Sequence, residues 1–210
     1  PKGRRRRLST VPHDREPERL SILPLGHRLD EDQVALERGV TDGTDAIARI
    51  QGAALGGGMG LVAACDIAIA STRAVFATSE VKFGIIPSAI SPYVLRAIGA
   101  RQATRYFQTA ERIDAHHACK ISLVHETVEP EQLDARVQEI VSALLQGSPL
   151  AQAAAKDLIR AVDGQPVNDT LVEETARRIA HLRATPEARE GIAAFLEKRN
   201  PDWVSAFGGG

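Results

Sequence analysis

The residues with the clearest chemical meaning are three consecutive glycines, Gly56, Gly57 and Gly58, and a glutamate further along the chain, Glu80. Core packing does not explain the glycines, because each loses more backbone entropy on folding than any other residue and brings no side chain. They suit a place where another group approaches the backbone closely. The short apolar run at 46–50 precedes them and a small-residue stretch at 59–65 follows, which reads as strand, loop and helix. At such a junction the first N–H groups of the helix point outward with the positive end of the helix dipole behind them. The matching ligand is an anion or a developing oxyanion. Glu80 lies between the apolar residues Phe76 and Val81, in a loop, and is a candidate proton-transfer group. A plain ion pair of Glu80 with Lys82 is the competing explanation.

The elements that must position these residues follow from the apolar pattern. Strands are expected at 46–50, 66–70 and 74–77, with a helix opening at the glycines and ending near Ala64. Residues 79–88 contain Gly84 and Pro87 in an apolar setting and read as a structured loop before a helix over 91–98. Short helices over 102–109 and 115–120, a brief strand within 123–128 and an amphipathic helix over 131–145 come next. Ser148-Pro149 caps and opens a helix that runs to about Val162. Helices over 167–184 and 186–197 complete the chain, so the fold class is an α/β core followed by a helical region.

Composition narrows the function. The chain has 210 residues, 43% of them hydrophobic and 25% charged, with a net charge of -1, which fits one core plus a helical appendage. Near-zero charge gives no general attraction to nucleic acid or to an anionic membrane, so neither is an expected partner. The apolar stretch 61–70 is broken by Asp66 and falls short of the about 18 residues of a membrane span. Cys65 and Cys119 read as reduced thiols, which fits a cytoplasmic, soluble protein. Residues 1–44 hold the run Arg4 to Arg7 and little apolar periodicity, and are expected to be disordered or unrelated to the core. Asp66 reads as a structural residue at a strand end. The adjacent His116 and His117 point to different helix faces, so no metal site is expected. The segment Gly58-Met59-Gly60-Leu61-Val62-Ala63 formally fits a dinucleotide fingerprint. Residues 52–55 separate the strand from the glycines, however, and no further strand-helix alternation completes such a site.

The blocks Ile50-Gln51-Gly52-Ala53-Ala54-Leu55-Gly56-Gly57-Gly58, Ala64-Cys65-Asp66-Ile67-Ala68-Ile69-Ala70, Phe76 to Glu80 and Gly84-Ile85-Ile86-Pro87 resemble the crotonase, or enoyl-CoA hydratase/isomerase, superfamily. The likeness runs from about Ala46 to Trp203, and Ser88-Ala89-Ile90-Ser91-Pro92-Tyr93-Val94-Leu95 is most similar to the methylglutaconyl-CoA hydratase-like branch. The resemblance implies a crotonase-like ββα core, here at 45–145, and a helical trimerisation region at 146–205. It implies an acyl-CoA substrate, with coenzyme A entering only as part of that substrate and no separate cofactor, and a homotrimer or hexamer. By the same resemblance Gly57 supplies an oxyanion N–H and Glu80 is the acid/base. Gly56, Gly60, Ser79 and Ser88 line the substrate, and Phe195 and Lys198 approach coenzyme A.

Two departures matter. Gly60 stands where two-glutamate hydratases carry their first glutamate. A Gly-Ala-Asp-Leu or similar segment, which supplies the second oxyanion N–H in the family, is not found among residues 1–44, so the domain reads as N-terminally incomplete. The expected function is hydration of an α,β-unsaturated acyl-CoA of the enoyl or methylglutaconyl type. An inactive or truncated relative that at most binds acyl-CoA, and an enoyl-CoA isomerase, are the alternatives.

Overall fold

The computed structural model of the chain describes residues 21–24 and 45–207. Strands β1 (Ser21–Pro24) and β2 (Ala46–Ile50) pair antiparallel, Ser21 opposite Arg49 and Pro24 opposite Ala46. Strand β3 (Ala53–Leu55) leads into helix α1 (Gly57–Ala64), which returns through β4 (Ile67–Ser71) to β5 (Val75–Ala77). A 3-10 turn over Glu80–Phe83 and helix α2 (Ser91–Thr109) follow. Then come β6 (Ile113–Asp114), α3 (Ala115–Lys120), β7 (Glu126–Val128) and α4 (Leu133–Leu145). The chain ends in α5 (Pro149–Val162), α6 (Asp169–Arg183), α7 (Pro186–Glu197) and α8 (Asp202–Phe207). This is the α/β core with a helical C-terminal region that the sequence implies.

Two sheets share the strands, one in the order β1-β2-β4-β7 and one in the order β3-β5-β6. The chain steps from the first sheet to the second on each side of α1. Side chains in β2 and β4 alternate between two cores, as the two-residue period of a strand requires. Ile47 and Ile69 meet Leu133 and Val137 of α4 on one face. Ala48, Ile50, Ala68 and Ala70 face Met59 and Val62 of α1 on the other. The alanines keep that face shallow, which lets the glycine helix lie close to the sheet.

Three readings differ in the structure. Ser21–Pro24 lies in the segment expected to carry no element, and among the described residues it is a short strand at the edge of its sheet, a position where proline is tolerated. The run Arg4 to Arg7 lies outside the described residues. Ala53–Leu55, read as a spacer, is a strand because it pairs parallel with β5. The two helices expected at 91–98 and 102–109 are the halves of α2, kinked at Gly99 with φ 72° and ψ 159°.

Asp66 is structural, as read. Its carboxylate accepts the Ala46 N–H at 2.9 Å and the Lys156 ammonium at 2.7 Å, while Asp45 lies 4.0 Å from the same ammonium. The Lys156 side chain is only 10% exposed, so this cluster ties α5 to the core. Burial pushes the Asp45 carboxyl above its ordinary range, and Lys156 opposes the rise. Lys156→Met would leave two half-buried carboxylates without their cation. A loss of about 3 kcal/mol is expected, visible as a lower urea midpoint at unchanged slope.

Cys65, at the end of α1, has its thiol pushed up to about 12 by burial and by the neighbouring Asp66. At pH 8 it stays protonated, so iodoacetamide should label Cys65 in the folded protein far more slowly than in urea-unfolded chain. Peptide mass spectrometry reads this directly.

Candidate active site

Strands β3 and β5 run parallel, with Leu55 opposite Ala77. The chain segments that leave them, Gly56 onward and Thr78 onward, therefore exit the sheet at the same edge. The carboxyl ends of parallel strands are where α/β folds commonly place ligands. Gly56 donates its N–H to the Ala77 carbonyl at 2.8 Å, which fastens the glycine loop to β5. Its φ of 53° and ψ of -118° are a conformation that glycine adopts without steric cost.

The first turn of α1 is open. Met59 and Gly60 donate to the Gly56 carbonyl at 3.0 and 3.3 Å, whereas Gly57 and Gly58 occupy the first two positions, which no carbonyl of the helix can satisfy. A Cβ placed on Gly57 would meet no atom within 4 Å. A helix N-terminus, an N–H that the helix itself cannot satisfy and free space for a side chain thus coincide at Gly57.

Glu80 stands beside this space. Its Oε1 lies 3.4 Å from the position a Cβ on Gly56 would take. Its Oε2 is buried and has no hydrogen-bond partner among the described residues. No ion pair joins Glu80 to Lys82 or to another cation among those residues, so the surface-pair explanation lacks its contact. Leaving a buried carboxylate oxygen unpartnered is costly, and a bound substrate or water would complete its bonding. Thr78, two residues earlier and buried, donates to the Tyr106 carbonyl at 2.9 Å and anchors the approach to Glu80.

The other expected site residues are distributed unevenly. Ser79 precedes the 3-10 turn, its carbonyl accepting the Lys82 N–H at 3.0 Å. Ser88 is exposed, and its carbonyl accepts the Ser91 hydroxyl at 2.9 Å at the entry to α2. Gly60 is buried, and the direction a side chain would take from it is filled by Ile90. Phe195 and Lys198 sit together at the end of α7, with Phe195 81% exposed. No hydrogen bond or ion pair among the described residues joins them to Gly57 or Glu80. Ile90 carries no polar group to mark it as a site residue in the sequence; the glycine inside a helix at position 60 is the available signal. Among the described residues there is no group of three or more His, Cys, Asp or Glu side chains able to hold a metal, and no helix is long and apolar enough to cross a membrane.

Known proteins resemble this chain in sequence and in fold. A crotonyl-CoA hydratase from Syntrophomonas wolfei is 35% identical over 161 residues, covering 76% of this chain and 61% of the relative. A 2,3-dehydroadipyl-CoA hydratase from Escherichia coli is 32% identical over 158 residues, covering 75% and 62%. Among solved structures, one described as an enoyl-CoA hydratase/isomerase (crotonase) from Legionella pneumophila superposes with a TM-score of 0.78 at 43% identity, covering 82% of this chain and 66% of that one. An enoyl-CoA hydratase from Shewanella pealeana gives 0.75 at 40% identity, covering 82% and 64%. The chain thus spans under two thirds of the length of these relatives. The model of the enoyl-CoA hydratase/isomerase family matches residues 39–206, and on that match this chain belongs to the enoyl-CoA hydratase/isomerase family.

Proposed function

We propose that the protein hydrates an α,β-unsaturated acyl-CoA, with Gly57 as an oxyanion donor and Glu80 as the proton-transfer group. The observation that carries the reading is the Glu80 carboxylate, unpartnered at one buried oxygen and next to the open first turn of α1. Water attacks the β-carbon as its proton passes to the Glu80 carboxylate, and the π electrons move onto the thioester oxygen. That oxygen becomes an enolate facing the Gly57 N–H and the helix dipole. The enolate then collapses, and the carboxyl returns the proton to the α-carbon, so one water is added and Glu80 ends as it began. The names of the crotonyl-CoA and dehydroadipyl-CoA hydratase relatives support this class of reaction. Methylglutaconyl-CoA is a substrate to include, on the likeness of residues 88–95 to that branch.

A second reading is double-bond isomerisation. It is favoured by Gly60 and Ile90, which leave the next turn of α1 without a carboxylate. A single carboxylate that removes a proton from one carbon and returns it to another is sufficient for that reaction. Incubation with crotonyl-CoA and, separately, a 3-enoyl-CoA separates the two readings by mass spectrometry. Hydration adds the mass of water to the first substrate, while isomerisation converts the second with no change of mass. No turnover of either, with no binding of a CoA thioester by calorimetry, would overturn both and leave an inactive relative. The exposed apolar residues Ile192, Phe195 and Leu196 on α7 support assembly of the helical region into a homo-oligomer.

A further inference from the structure

The loop that carries Glu80 has few attachments. From Val81 to Ala89 only Pro87 is buried, and Phe83, Ile85 and Ile86 are 75%, 60% and 72% exposed. Its internal hydrogen bonds are local, such as Ile85 N–H to the Glu80 carbonyl at 3.3 Å and Ser88 N–H to the Ile86 carbonyl at 2.8 Å. At its start the loop is held by Thr78 on Tyr106. At its end stands Ile90, 4% exposed, just before α2. A Cβ built on Gly60 would lie 2.1 Å from Ile90 Cγ2 and 2.6 Å from its Cβ. The branched side chain of Ile90 therefore sits in a notch that exists only because residue 60 has no side chain.

We infer that Ile90 is a positioning residue for Glu80, its γ-methyl seated in the Gly60 notch and locking the far end of the 79–90 loop onto the helix whose first turn faces the substrate. The notch lies one turn from Gly57 on α1, because residues three apart are neighbours on a helix face. The same helix thus fixes both the oxyanion donor and, through Ile90, the end of the loop bearing the carboxylate. This rests on the reading of Glu80 as the proton-transfer group. Small displacements matter at such a site, since about 1 Å of misplacement can cost about a hundredfold in rate.

The test compares Ile90→Val with Ile90→Leu. Valine keeps the branch at Cβ and hence the methyl in the notch, whereas leucine keeps the volume but loses that methyl. Ile90→Val should retain kcat, and Ile90→Leu should lower kcat by about tenfold or more with KM for the CoA thioester little changed. A role in bulk packing alone reverses the order, because leucine matches isoleucine in volume. Hydrogen exchange supplies a readout independent of turnover: amides of residues 79–90 should exchange faster in Ile90→Leu than in wild type and Ile90→Val, with α4 unchanged. Equal kcat and equal exchange in the two variants would overturn the inference. If Glu80→Gln proves as active as wild type, the reading of Glu80 fails instead, and the exchange comparison still decides whether Ile90 holds the loop.

Discussion

Glu80→Gln is expected to lower kcat for the CoA thioester substrate by roughly a hundredfold to ten-thousandfold, the usual range for loss of a general acid/base. That corresponds to roughly 3 to 5 kcal/mol of transition-state stabilisation. Glutamine preserves the size of the side chain and removes only its ability to take up and return a proton. Stability should move the other way. One Glu80 oxygen is buried without a partner among the described residues, and a neutral amide costs less to bury than a carboxylate. The variant should therefore unfold at the same temperature as wild type or slightly above it. Loss of activity together with equal or higher thermal stability is the signature of a group kept for chemistry; a lower melting temperature with retained turnover would count against the assignment.

Gly57→Pro should cost about a hundredfold to a thousandfold in kcat, the scale found for removing one oxyanion donor. Proline deletes the N–H, and at the first position of a helix this leaves no helical hydrogen bond unmade. The Cβ of the ring has room, since no atom lies within 4 Å of a Cβ at position 57. Circular dichroism should show the helical content of wild type. Gly57→Ala, which fits the same space and keeps the N–H, is the control, and it should retain the larger part of the activity. Equal loss in both variants would mean that bulk at position 57, rather than the missing donor, is responsible.

Much of the fold was legible in the chain. The strand at Ala46–Ile50 and the helix at Gly57–Ala64 fall where the apolar and small residues place them, as do the helices that begin at Pro149 and Pro186. Local signals suffice there: an apolar run, a serine or threonine cap, a proline in the first turn. The strands at Ser21–Pro24 and Ala53–Leu55 were not legible, because three or four residues carry no measurable period and gain their ladders only from distant partners. Position 60 shows the same limit within the site. In the sequence it marks an absent glutamate, while in space it is the seat of Ile90.

The sequence alone determined the chemical groups: a triple glycine able to offer an unpaired N–H at a helix start, one glutamate in an apolar loop, and the blocks that identify the family. These are properties of residue type and spacing, which the chain carries before it folds. Only the tertiary structure decided that the two groups meet. The parallel pairing of Leu55 with Ala77 brings the loops after β3 and β5 out at one edge, and the close packing of α1 on an alanine face leaves Glu80 beside Gly56. It also decided that one carboxylate oxygen is buried without a partner and that Ile90 fills the notch over Gly60. Such facts depend on distances between residues far apart in sequence. Side-chain periodicity records which face a residue takes, and not what stands opposite it.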